Sequence, residues 1–185
     1  SVGFDLYSQM LQEAVEERRN KKPVDVTPAL EMDIEVDAYI PDTYLSDGHQ
    51  KIEMYKRFRG ITTLEELEEL QEEMVDRFGD YPQEITYLFL IAEMKVYARK
   101  AGIEGIKQAK QEISILISEK TSAHIDGQKI FQLGSKFGRM VGLGMEGSKM
   151  KLVLHIKGIA EEKWLQILFE LVKGLQNVKR EKQSQ

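Results

Sequence analysis

The 185-residue chain has no cysteine, so neither a disulfide frame nor a thiolate metal site can form. It has no apolar run approaching the roughly 20 residues needed to span a bilayer, and no membrane partner is expected. Its opening, SVGFDLYSQM, lacks a basic segment followed by an apolar one, so no signal peptide is read. The chain starts directly on an apolar helical pattern, and a piece of something longer is expected. It also lacks a net positive charge: the formal balance is −5, which argues against nonspecific phosphate binding by the whole surface. No G-x-S-x-G nucleophile motif, internal repeat or low-complexity linker occurs. A cytoplasmic location fits the absence of cysteine.

What is present suits a globular fold. Apolar residues make up 42% and charged residues 31%, enough for one sizeable domain or two small ones sharing an interface. Phe4, Tyr7, Leu11, Ala14 and Val15 give a helical period over Phe4 to Arg19, broken by Pro23 and Pro28. Met32, Ile34, Val36, Ala38 and Ile40 alternate with Glu31, Asp33, Glu35 and Asp37, the pattern of a half-buried strand. Helices are predicted from about His49 to Arg59, from Leu64 to Gly79, and from Asp80 and Pro82 to about Ala101, closed by Gly102.

After Gly102 the texture changes to two short strands, with Ile113, Ile115 and Ile117 on one face. A short helix follows at Asp126 to Ser135, then a hairpin turning at Glu146 to Ser148. A last helix at Glu161 to Val178 shows Trp164, Ile167, Leu168, Leu171 and Leu175 on one face. Residues 179–185 read as a frayed tail. The expected class is α+β. A mainly helical half with one strand covers 3–102, and a small antiparallel β-containing half with a C-terminal helix covers 103–180, within a single domain.

Most candidate chemistry dissolves on inspection. Gly142, Gly144 and Gly147 have G-x-G-x-x-G spacing, but KMKLVLHIK after them alternates like a strand, and Gly147-Ser148-Lys149 inverts the P-loop order. A glycine-rich hairpin fits better than a nucleotide site. Asp33, Glu35 and Asp37 offer oxygens to a hard metal, yet on a strand they fan along the sheet, as a solvated face does. His49, His124 and His155 are isolated from one another. Lys173, Lys179, Arg180 and Lys182 lack interleaved aromatics and fit a solvated helix end. No catalytic, cofactor or metal residue is assigned.

The stretch LEELEELQEEMVDRFGDYP is different, with seven carboxylates from Glu65 to Asp76 ahead of a single arginine. Thr62 with Glu65, or Thr63 with Glu66, has capping-box spacing. At 100° per residue, Leu64, Leu67, Leu70, Met74, Val75 and Phe78 gather on one side. Glu65, Glu69, Glu72 and Asp76 centre almost opposite, with Glu68 and Glu73 on the flanks. An ordinary wet face mixes lysines with its glutamates, whereas Arg77 is the only cation here. Glu73, Asp76 and Arg77 form an i, i+3, i+4 patch that can accept from and donate to a partner, with Glu69 and Glu72 flanking it. The residues alone leave two readings open, a solvated face and a docking surface for a basic partner. A paired-carboxylate enzyme is a third, and it requires convergent acids in one cleft.

The motifs GFDLY (Gly3 to Tyr7), IPDTYL (Ile40 to Leu45), MYKR (Met54 to Arg57) and EEMVDRFGDYP (Glu72 to Pro82) occur in an order and spacing that resemble the C-terminal domain of the bacterial transcription-repair coupling factors (Mfd). Motifs carry the resemblance as far as Gly102, and the order of elements carries it beyond. One departure is DYPQEI, where a more apolar, proline-richer run is expected. The resemblance implies a parent that is a cytoplasmic ATP-driven DNA translocase, one that removes stalled RNA polymerase and recruits excision repair through UvrA. It implies that this domain is not the motor and needs no cofactor. By that resemblance it docks on the N-terminal UvrB-like module, hides the UvrA-binding surface and restrains the translocase. The docking positions carried over are Glu73, Asp76 and Arg77. Tyr55, Lys56 and Arg57 are assigned to the fold first. The alternative is an interaction module for another basic partner, such as RNA polymerase.

Overall fold

A computed structural model describes residues 30–181. The expected helix from Phe4 to Arg19, the breaks at Pro23 and Pro28, the GFDLY motif and residues 182–185 lie outside the described part. The described residues form two compact units, one of residues 38–89 and one of residues 30–37 with 90–181.

The first unit is built on α1 (Gly48–Gly60), α2 (Leu64–Phe78) and the start of α3 (Gln83–Ala101). Asp47 caps α1 by accepting from the amide of Gln50 at 3.0 Å. Met54, Phe58, Leu67, Leu70, Met74, Ile85 and Phe89 are buried and supply its core. The Phe58 and Phe89 rings lie 4.6 Å apart, and Tyr81 stands 5.2 Å from Phe89.

The second unit is a five-stranded sheet with order β1-β2-β3-β5-β4. The strands are β1 (Glu31–Asp33), β2 (Ile103–Ala109), β3 (Glu112–Ile117), β4 (Val141–Glu146) and β5 (Lys149–His155). All neighbours are antiparallel except β1, which joins β2 in parallel. The α+β class holds, and the sheet is mixed. Ile113, Ile115 and Ile117 are buried on one face of β3 with Leu152 and Leu154 of β5, as the alternation predicts. Helix α5 (Gly127–Ser135), capped by Asp126, and α6 (Glu161–Gly174) contribute Ile130, Trp164, Leu165, Leu168, Leu171 and Val172 to this core. The β4–β5 hairpin turns on Gly147 at φ 61° and Ser148.

Three local expectations change. The strand predicted over Glu31 to Ile40 pairs only at Glu31–Asp33, although its burial alternation runs on to Ile40. The ladder stops at Asp33 and Lys107 although β2 runs on to Ala109, and the amide of Glu35 donates to the Gln108 side chain at 2.7 Å instead of to a backbone partner. The tail is not frayed at its start, because Lys179 bridges to Ile125 and the Arg180 amide donates to the His124 carbonyl at 2.8 Å. A four-residue helix, α4 (Glu119–Ser122), stands where none was read. Gly102, at φ 74°, precedes β2, and a Cβ there would collide with Thr121.

Candidate functional site

Helix α2 begins and ends as its sequence dictates. The Thr63 hydroxyl accepts from the Glu66 amide at 3.2 Å, while the Glu66 carboxylate reaches back to the Thr62 hydroxyl at 3.3 Å. The capping box is thus spread over both threonines. Gly79 closes the helix at φ 87°, a conformation that penalises any Cβ, and its amide donates to the Val75 carbonyl at 2.9 Å.

The last turn is braced by the other recognisable motifs. The Tyr44 hydroxyl, from IPDTYL, donates to the Gly79 carbonyl at 2.7 Å and lies 3.2 Å from that of Met74. Its ring packs edge-on to Phe78 at 6.0 Å. Burial, with Tyr81 and Asp80 nearby, pushes the Tyr44 hydroxyl above the ordinary phenol value of 10.0. The Tyr55 hydroxyl, from MYKR, accepts from the Ile40 amide at 2.8 Å; its pKa is raised by burial, against the lowering effect of that amide. Asp42 pairs with Lys51, whose stem is buried.

The predicted docking residues fall into two groups. Glu73 is half-buried and bound from two sides, by Arg57 of α1 and by Arg77 at 3.2 Å. Arg77 also approaches Glu53 at 3.8 Å, and its guanidinium sits 4.9 Å from the Phe78 ring centre. Asp76 is exposed and has no ion-pair or hydrogen-bond partner among the described residues. The same holds for Glu65, Glu68, Glu69 and Glu72. So the acidic face is compensated on one flank only. Sequence reading missed Arg57 as a counter-ion, because its partner lies sixteen positions away on another helix. Val75, expected in the apolar stripe, is 41% exposed beside the free carboxylates. Its wheel angle sits at the stripe's edge, where the neighbouring helix no longer covers it.

Chemically, this arrangement offers acceptors to a basic partner, one oriented guanidinium and an apolar contact. Among the described residues, no group of three or more acidic or histidine side chains is placed to hold a metal. Glu31, Asp33, Glu35 and Asp37 are exposed, and Glu31 pairs with Lys107 at 3.0 Å. His49 and His124 are exposed, and His155 faces Glu112 at 3.4 Å. Lys173 lies 5.8 Å from the Tyr97 ring centre, and the Lys179 ammonium donates to the Lys100 carbonyl at 3.2 Å.

Residues 34–128 match the family model of the TRCF domain, which takes in the braced motifs and all of α2. The chain belongs to the TRCF domain family. The transcription-repair-coupling factor of Bacillus subtilis (strain 168) is 55% identical over 181 residues, covering 98% of this chain. That of Staphylococcus aureus (strain USA300) is 39% identical over 181 residues, covering 97% of this chain. The chain spans 15% of the length of each of these relatives. A crystal structure of the C-terminal domain of a transcription-repair coupling factor matches with a TM-score of 0.74 and 32% identity, covering 82% of this chain and 94% of that one. The likeness to these relatives therefore extends beyond the TRCF domain match, which itself already reaches into the sheet unit.

Proposed function

We propose that this TRCF domain is a noncatalytic docking module of a transcription-repair coupling factor, acting as an intramolecular lock. Its partner is a basic surface on the N-terminal UvrB-like module of the parent. Occupying that surface masks the site UvrA needs and restrains the DNA translocase until RNA polymerase is engaged, in a cytoplasmic parent. The observation that carries the reading is the asymmetry of α2, a free stripe of carboxylates ending at Asp76 beside a braced Glu73–Arg77 pair. A preorganised pair loses little freedom on docking, and free carboxylates gain counter-charges. Individually such contacts at an exposed rim are weak, and a total coupling of about 1–3 kcal/mol suits a lock that must open.

Asp76, Glu72 and Glu69 accept from the partner in this scheme, while Arg77 donates through the guanidinium N–H groups that Glu73 leaves free. Glu73 acts mainly by orienting Arg77. The test is titration of the isolated N-terminal module with this chain by calorimetry or fluorescence. Asp76→Lys with Glu72→Lys abolishes binding if the reading holds, with the fold intact by circular dichroism. Unchanged binding defeats it. Loss of RNA polymerase binding alone in the same variant favours the interaction-module alternative.

A further inference from the structure

Among the described residues, strand β4 (Val141–Glu146) lies at one edge of the sheet, and its sequence VGLGME contains no proline, no lysine and no bulge to discourage further pairing. The phase of its ladder fixes which backbone groups are free. In a hairpin with a two-residue turn, Glu146 and Lys149 form the closing hydrogen-bonded pair, so Glu146, Gly144 and Gly142 face β5. Val141, Leu143 and Met145 then direct their backbone N–H and C=O groups outward. The Met150 amide bears out this phase, since it donates away from β4 to the Ser122 hydroxyl at 2.9 Å.

Two of these three residues carry exposed apolar side chains, and Val141 is half-buried. Leu143 is 45% and Met145 59% exposed, and Phe131 of α5 is 65% exposed. Phe131, Ile130, Gly134, Val141, Leu143 and Leu152 line an open apolar cleft of about 250 Å³. Opposite charges stand at the two ends of the strand, Arg139 just before it and Glu146 at its close; neither has a partner at ion-pair distance among the described residues, and Lys107 and Lys149 act on Glu146 only through longer-range attraction.

We propose that the β4 edge pairs with the β4 edge of a second copy of this chain, antiparallel about a two-fold axis at Leu143. In that register Leu143 faces its own copy, and Val141 faces Met145 of the second copy. All three fall in hydrogen-bonded pairs, and the apolar faces of both sheets lie on one side. Gly142 and Gly144 present no side chain on the other side. Antiparallel pairing also carries Glu146 to the end where Arg139 of the second copy stands, twice by symmetry. A strand whose ends bear opposite charges is thus complementary to itself, as an isologous interface requires.

Sedimentation velocity of this chain up to about 1 mM tests the idea. A concentration-dependent monomer–dimer equilibrium is expected. Arg139→Glu and Glu146→Arg, each at an exposed position, raise the dissociation constant about tenfold, and the double reversal restores it. Leu143→Lys abolishes the dimer while circular dichroism stays unchanged. A chain that is monomeric throughout overturns the proposal. So does association indifferent to these substitutions, which places the contact elsewhere.

Discussion

Between Ala38 and Phe89, twelve acidic side chains meet five basic ones, whereas the described residues of the sheet unit carry fourteen and sixteen. The helical unit concentrates its surplus on one face of α2 and uses its few cations as braces: Lys51 on Asp42, Arg57 and Arg77 on Glu73. The sheet unit scatters its charges and relies on the buried isoleucine face of β3 and the buried apolar face of α6. One unit thus gathers its acidic side chains on one surface. The other holds a scaffold.

That contrast can be broken in graded ways. Ile115→Ala, at a fully buried position in the middle of the sheet, should cost about 2–5 kcal/mol by urea denaturation. In the helical unit, Thr63→Ala removes a cap and should cost about 1 kcal/mol. The Arg57–Glu73 pair is about one-third exposed on both sides, so a double-mutant cycle should return a coupling of only about 0.5 kcal/mol. Asp76→Lys should leave the thermal midpoint nearly unchanged, within about 0.5 kcal/mol, because Asp76 is exposed and has no ion-pair or hydrogen-bond partner among the described residues. A large loss of stability there would mean that the free stripe is structural.

A pH series sharpens the same comparison. Burial raises the hydroxyl pKa of Tyr44, Tyr55 and Tyr97 above 10.0, and a hydrogen bond to Glu104 raises Lys149 above 10.5. Groups held above their unfolded values contribute stability below those values and lose it as pH rises through the folded pKa. The midpoint should therefore stay level near neutrality and fall above about pH 10, with tyrosine absorbance lagging that of a model peptide. Tyr55→Phe should flatten part of that fall.

Much of this was legible in the sequence, by different routes. Period-2 alternation placed β3 and its buried isoleucines, and the helical period placed α2 and α6, because burial on one face leaves a periodic trace. Thr63 and Gly79 marked the ends of α2 through backbone chemistry that needs no tertiary partner. The short reach of β1 was not visible, since it depends on a tertiary partner, the Gln108 side chain that takes the Glu35 amide out of the ladder. Nor was the pairing of Glu73 with Arg57, which depends on how two helices meet. That pairing matters most, because it separates Glu73, held within the fold, from Asp76, free at the surface. The motifs named the patch, and the geometry divided it.

The most direct test of the lock is UvrA binding by the full-length parent, measured with and without charge reversal at Asp76 and Glu72. If the free stripe masks the UvrA surface, Asp76→Lys with Glu72→Lys should raise UvrA affinity by about tenfold or more in the absence of RNA polymerase. An affinity equal to that of the unaltered parent, with the domain still folded, would contradict the account.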